Sequence, residues 1–379
     1  MFPLFFIGLF SLYPPACYIC LFTSGCTRFM HLHTPLLFYM NLFQKPTLYP
    51  TDSSYNVPTA NNGGRNMERQ RVLIASPIRQ RPDILEAWLE SLSRLQHQSY
   101  TASFAFFDDN DDEHSRQLLL KFKQEHSDVR IYRSEQPKVA YECNETTHFW
   151  NEHLVWRVAA MKDFCIQAAL ADQVDALFLI DSDLVLHPDT IDRLLATEKD
   201  IIANIFWTIW EPGTVEMPQV WVQDVYSLIP KGRNEKLTEE ETNRRLFQVL
   251  AQLRQPGIYE VGGLGACTLI SKKALEAGVS FAEIPNVSFW GEDRHFCVRA
   301  AALGLKLYVD TRKPAFHLYR PSDLQQLAAY LRSCNIDPDS SPLDSKPKAQ
   351  ISSTIQKKEA SPSTLHTSSG VPSESSQRP

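Results

Sequence analysis

Apolar and polar positions fall into two alternating patterns from residue 71 onward. The run "RVLIAS" (71–76) is short, rich in branched side chains and closed by Ser76-Pro77, as a strand ends. "DILEAWLESLSRL" (83–95) follows, with Ile84, Leu85, Trp88, Leu89, Leu92 and Leu95 at the spacing of one helix face. The cycle repeats with a strand in "ASFAFFDDND" (102–111), a helix from about His114 to His126, and the strand "VRIYRS" (129–134). The helix "HLVWRVAAMKDFCIQAALA" (153–171) then leads into the apolar run of "DALFLIDSD" (175–183). Strands alternating with helices predict right-handed crossovers and an α/β, Rossmann-like fold: a mostly parallel central sheet with helices on both faces.

The two ends of the chain break this pattern. Residues 335–379 contain no aromatic residue and are dense in Ser, Pro, Thr and Lys. They carry too little apolar surface to offset the entropy of ordering and read as a disordered tail. Residues 1–66 open on "MFPLFFIGLFSLYPPACYICLF", apolar enough for a membrane anchor but interrupted by Pro14 and Pro15 and preceded by no basic residue. A second reading makes this segment translated leader, with Met67 the natural first residue, because one codon choice for Gly63-Gly64-Arg65 gives a bacterial ribosome-binding site. Between the ends lies one domain, 67–334. A cytoplasmic location is expected, with peripheral membrane association left open.

Composition narrows the partners. A net charge of -6 over 379 residues, without a long Lys/Arg cluster, argues against nucleic acid, which demands a basic face to displace counterions. The 8 cysteines are scattered and suggest neither a zinc site nor a disulfide framework, so buried thiols are expected. An anionic ligand must then be met locally or through a metal.

In such sheets ligands sit beyond the carboxyl ends of the strands. Those ends carry Ser76-Pro77-Ile78-Arg79, Asp108-Asp109-Asn110 and Asp181-Ser182-Asp183. No GxGxxG follows the first strand, which disfavours a dinucleotide site. If the chain stays extended there, Asp181 and Asp183 point the same way, and their mutual repulsion is relieved by a hard cation, Mg²⁺ or Mn²⁺. The plainer alternative is that they cap the helix in "HPDTIDRLL". Further on, "SFWGEDRHFCVRAAALG" places Glu292 and Asp293 in the first turn of a helix ending at Gly304. The positive helix end favours ionised acids, and complementing that dipole is the alternative reading. His317 follows the last strand in "AFHLYRP", where a purely structural histidine is the competing reading. Trp207, Trp210 and Trp221 offer flat rings either to a sugar or to the core.

Taken in order over about residues 70–320, "AFFDDNDDEHSRQLL", "LFLIDSDLVLHPDTIDRLL", "VGGLGACTLISKKAL" and "WGEDRHFCVRAAALG" resemble a GT-A-fold glycosyltransferase of the family 2 type. There is further likeness to the fungal mannan-polymerase mannosyltransferases. The resemblance implies a nucleotide-sugar donor held by Ser76, Pro77, Arg79, Asp108, Asp109, Lys162 and Asp181, although family members often carry Arg where Lys162 stands. It implies Mn²⁺ or Mg²⁺ on Asp183 and His317, and Asp293 as the base that activates an acceptor hydroxyl, with Glu292 orienting it. The acceptor, a glycan, lipid or protein, would lie near Gly263 and Trp290. Inversion is expected, although the mannan-polymerase relatives retain configuration. Two other classes stay open: a non-catalytic nucleotide-sugar-binding module, and a haloacid-dehalogenase-like phosphatase with Asp181 as nucleophile, which expects its DxD on the first core strand.

Overall fold

A computed structural model describes residues 69–340, except 134–140, 142–143, 146–147 and 289–290. Contacts divide the chain into two units, and every described residue belongs to the second, Pro46–Pro379. The expected leader and the tail beyond Ser340 lie outside the described residues. The described chain passes the expected domain end at 334: Ile336 packs with the cluster around Leu331, and the Ser340 carbonyl accepts from Arg94 Nη2 at 3.2 Å.

The predicted alternation is present as β1 (Gln70–Ile78), α1 (Pro82–Ser93), β2 (Tyr100–Asp108), α2 (Glu113–Glu125), β3 (Val129–Arg133), α3 (Glu152–Ala171) and β4 (Ala176–Leu179). It continues through β5 (Leu184–Val185), α4 (Thr190–Leu195), β6 (Ile201–Thr208), β7 (Met217–Pro218), β8 (Val220–Trp221) and α5 (Glu239–Leu253). β9 (Ile258–Val261), β10 (Gly263–Leu264), β11 (Thr268–Ser271), α6 (Lys272–Glu276), α7 (Glu292–Ala302), β12 (Leu307–His317) and α8 (Leu324–Ser333) complete it. Local chemistry sets the helix starts. Asp112 caps α2 by accepting from Ser115 N at 2.6 Å, and Asn151 caps α3 by accepting from Leu154 N at 2.9 Å.

The main sheet runs β3-β2-β1-β4-β11-β6-β12-β5. Its β3-β2-β1-β4 half and the β6–β12 pair are parallel, while β11 is antiparallel to both β4 and β6. Alternate residues of one strand feed opposite faces. Val72, Ile74, Ala176 and Phe178 join the cluster holding Trp88, Phe106 and Phe122, whereas Leu73, Ala75, Leu177 and Leu179 join the one holding Cys165, Ile166 and Phe296. Burial on both faces is why these strands read as continuous apolar runs. Among the described residues no helix is long and apolar enough to cross a membrane.

Register aligns the functional edge. Pairing of Ile78 with Asp108 brings the carboxyl ends of β1 and β2 level, and pairing of Ala75 with Leu179 ends β4 slightly short of them, so that the Asp181–Asp183 turn runs on toward the same edge. On the far side β12 pairs with β5, His317 opposite Leu184, and Leu318 N donates to the Asp183 carbonyl at 2.8 Å. Beneath that edge, fully buried Asp310 accepts from Arg193 Nε at 2.8 Å and Arg312 Nη2 at 2.9 Å, locking α4 to β12. Removing one partner of a buried ion pair strands the other, so Asp310→Ala is expected to cost about 3 kcal/mol, the low end of the usual range because Asp189 still pairs with Arg193. Glu260→Ala breaks an exposed pair with Lys306 and is expected to leave the unfolding midpoint almost unchanged. Urea unfolding of the two variants checks both expectations.

Candidate active site

Asp181, Ser182 and Asp183 do not lie in extended strand. β4 ends at Leu179, the last ladder bond on this side is Ile180 N to the Ala75 carbonyl at 3.1 Å, and Ser182-Asp183 forms the turn into β5. Strand alternation therefore does not set the direction of this pair; the turn and the β5–β12 pairing do. Asp183 Oδ2 faces His317 Nε2 at 3.5 Å, and Asp183 Oδ1 is buried without a hydrogen-bond partner. His317 Nδ1 is bonded to Thr208 Oγ1 at 2.7 Å. If that nitrogen carries the ring proton, the Nε2 lone pair points toward Asp183, the arrangement of a metal-ligating histidine oriented by a second group. Among the described residues no three His, Cys, Asp or Glu side chains are grouped as a ready metal set. The orphaned carboxylate oxygen and the oriented imidazole nonetheless suit two donors to a hard cation.

α7 supplies the second pair of acids. It begins after Gly291, whose φ of 105° is a left-handed conformation that glycine favours. A Cβ there would also lie 2.8 Å from the Tyr226 hydroxyl. This start turns Glu292 and Asp293 inward against Lys162 of α3, whose Nζ donates to Glu292 Oε1 at 2.7 Å and to Asp293 Oδ1 at 2.9 Å. The Lys162 side chain is 2% exposed, and its ammonium is bonded to the two acids. Burial alone would pull Lys162 down, but Asp293, Glu292 and Asp181 outweigh it and hold the ammonium well above its ordinary range. Burial raises Asp293 to about 7; Lys162 opposes the rise, while Glu292 and Asp181 add to it. Asp181 is raised to about 6, first by burial and then, against Lys162, by Asp183 and Glu292. Acids from two elements thus converge on one buried cation.

The remaining expected residues divide. Asp109 is 3% exposed and held at both oxygens by Arg157, Nη2 at 2.6 Å and Nε at 3.2 Å. Asp108 Oδ1 accepts from Asn110 N and Nδ2 at 3.0 and 2.8 Å. Ser76 is buried and bonds the Pro77 carbonyl, and Arg79 pairs with Asp111 at 2.5 Å. These residues share the carboxyl edge of β1 and β2 with the acids of the β4–β5 turn. Gly263 pairs across to Trp221, and a Cβ there would stand 1.9 Å from the indole, so its missing side chain accommodates the ring. Trp290 lies outside the described residues. Trp221 is core, Trp207 is buried with the Arg254 guanidinium 3.4 Å over its ring, and Trp210 is 45% exposed with its centroid 6.4 Å from that of His317.

Arg157, Thr208 and Arg320 were not singled out from the sequence. Thr208 left a signal, a polar residue closing the apolar strand "IIANIFWT"; the two arginines left none. Arg320 is 7% exposed and donates to the carbonyls of Glu145, Ile209 and Trp210 at 2.8, 2.6 and 2.7 Å, fixing the backbone beneath exposed Trp210. A cavity of about 440 Å³ opens beside His317, lined in part by Thr208, Arg254, Tyr319 and Tyr330. A larger one, about 1360 Å³, lies around Tyr100, His126 and Ile336 and contains none of the candidate residues.

No family model matches the chain. Solved structures that overlap it include GalNAc-T7 with UDP, GalNAc and Mn²⁺, at 14% identity and a TM-score of 0.43 over 67% of this chain and 44% of that one. The chain thus spans less than half the length of that protein. S. aureus TarS 1–349 in complex with UDP overlaps at 12% identity and 0.40, covering 73% and 68% of the two chains. The mannosyltransferase PcManGT from Pyrobaculum calidifontis with GDP-Man and Mn²⁺ overlaps at 10% and 0.41, covering 73% and 67%. At these values the overlaps carry nothing about the reaction, which rests on the side chains.

The raised Asp293 has a stability consequence. Its folded-state value, about 7 against 3.8, means the folded chain binds this proton more tightly than the unfolded chain does. That stabilisation is complete below about pH 4 and lost as pH rises to about 7. Asp293→Asn mimics the neutral carboxyl, so in metal-free buffer its Tm is expected to exceed the wild type's at pH 8 and to match it at pH 4. Equal Tm differences at both values would contradict the raised pKa.

Proposed function

We propose that the chain is a nucleotide-sugar-dependent glycosyltransferase of the GT-A type, dependent on Mn²⁺ or Mg²⁺ and inverting. One observation carries this reading: a single sheet edge gathers the Asp183–His317 pair and, beside it, an inward-turned acid on α7 held by a buried lysine. Asp183 and His317 would hold the cation, Thr208 orienting the imidazole. When bound, the cation would neutralise charge gathering on the departing nucleoside diphosphate. The donor lies along the edge formed by Ser76, Pro77, Arg79, Asp108 and Asp109, with Asp109 presented by Arg157 and Asp181 next to the transferred sugar. Asp293 removes the acceptor's proton and Glu292 keeps it in place. Trp210, exposed beside His317, offers a ring to an acceptor. The finer likeness to the mannan-polymerase enzymes rests on the motifs alone.

A binding module without catalysis is disfavoured because the same edge that carries the Asp183–His317 pair also carries Asp293, a carboxylate held by a buried lysine in a position suited to proton abstraction. A phosphatase is disfavoured because it expects its DxD on the first core strand, whereas Asp181 and Asp183 follow β4. Incubation with a panel of UDP-, GDP- and dTDP-sugars plus Mn²⁺ separates the three: release of nucleoside diphosphate supports transfer, phosphate from simple esters supports the phosphatase, and binding without turnover supports the module. Asp293→Asn is expected to lower turnover by about 10²-fold or more with donor KM little changed. Thr208→Val is expected to weaken Mn²⁺ binding by about 10- to 100-fold in calorimetry.

A further inference from the structure

The two oxygens of Asp293 have different surroundings. Oδ1 is taken by Lys162 Nζ at 2.9 Å, and the same ammonium is tied to Glu292 Oε1 at 2.7 Å and lies 5.2 Å over the Phe281 ring. Oδ2 accepts no hydrogen bond from a described residue and looks toward Gly265. A methyl group built on Gly265 would stand 3.3 Å from Oδ2, with Gln219 next nearest at 3.7 Å. The Gly265 backbone is not left-handed, so its lack of a side chain is a matter of space and not of conformation. The Lys162 side chain is 2% exposed, and its ammonium donates to both acids of α7.

We propose that Lys162 is a positioning residue that clamps Asp293 through Oδ1, leaving Oδ2 as the atom that takes the acceptor's proton, and that Gly265 is the opening through which the acceptor hydroxyl reaches it. The assignment rests on the glycosyl-transfer reading. In the step, the acceptor O–H proton passes to Asp293 Oδ2 and the acceptor oxygen bonds to the anomeric carbon. The bond from that carbon to the diphosphate oxygen breaks, and its electron pair leaves with the nucleoside diphosphate. A clamped carboxylate keeps one lone pair directed at the acceptor, whereas a free one rotates and loses the near-attack geometry. The groups that face Asp293 are Lys162 from α3, Glu292 and Cys297 from its own helix, Asp181 from the β4–β5 turn and Tyr226 from the loop after β8. Lys162 is the only cation among them, so its loss must make Asp293 harder to ionise.

The test uses the full chain with Mn²⁺ and the sugar nucleotide that the panel above identifies, with methyl glycosides and water as acceptors. Lys162→Met is expected to move the acidic limb of the pH–rate profile up by about one pH unit or more, with donor KM unchanged, and Lys162→Arg to restore the limb in part. A large rise in donor KM with the limb in place would overturn the proposal and return Lys162 to the diphosphate. Gly265→Ala is expected to lower the ratio of transfer to hydrolysis by about tenfold or more; an unchanged ratio would place the acceptor elsewhere. Should Lys162→Met fail to fold, Lys162→Met with Glu292→Gln removes the cation together with one of its acids. The Asp293 carboxyl titration, followed by ¹³C NMR in aspartate-labelled protein, must shift upward in that variant relative to Glu292→Gln alone, and an unmoved titration refutes the clamp. This arm needs no turnover, so a chain that hydrolyses no donor would sink the glycosyl-transfer reading while the clamp is still decided.

Discussion

A buried ammonium set between two carboxylates, Lys162 between Glu292 and Asp293, is the contact on which the candidate site depends. Moving these charges out of water costs several kcal/mol per ion, and only short, well-directed bonds offset that cost. The contact therefore fixes where α7 begins relative to α3. Gly291 supplies the backbone turn that makes it possible, and Phe281 closes the apolar side. With one cation serving the acids of α7 and of the β4–β5 turn, the neighbourhood is left with excess negative charge. Burial is the first cause of the elevated proton affinities of Asp181 and Asp293; the excess charge adds to it, and a divalent cation would relieve that added part.

Topology brings these groups together from far apart in sequence. Parallel pairing of β1, β2 and β4 puts their carboxyl ends on one edge, the usual ligand edge of such sheets. Reversed β11 inserts beside β4 and leads toward α6, while β12 returns alongside β6 and reaches over to β5. That last pairing sets His317 opposite Leu184 and so brings its ring beside Asp183. Arg320, a few residues later, ties the chain below Trp210 to the same edge, so an exposed indole is held beside the site by a buried guanidinium.

Most of the architecture was legible because burial on both faces leaves a plain record: Val72 to Ala75 is apolar throughout, and α1 repeats Leu85, Trp88, Leu89 and Leu92 on one face. The acids were legible as residue types at strand and helix ends. Their partners were not, since no spacing links Lys162 to Glu292 or Arg157 to Asp109 across more than a hundred and nearly fifty positions respectively. The geometry around Asp181 was misjudged for a local reason: β4 stops two residues before it, so strand alternation no longer applies. The motif containing Gly263 does not reveal the close approach of Trp221, whose indole a Cβ there would meet at 1.9 Å. Of the three tryptophans, only tertiary packing separates buried Trp207 and Trp221 from exposed Trp210.

The central claim is that the carboxyl edge of this sheet holds a nucleoside diphosphate through a divalent cation. Calorimetric titration of UDP and GDP into the full chain, with and without Mn²⁺, tests it most directly. The account predicts saturable binding of at least one nucleotide that requires the metal and disappears in Asp183→Ala. Binding of equal strength in the presence of chelator, or metal-dependent binding that survives Asp183→Ala, would contradict it.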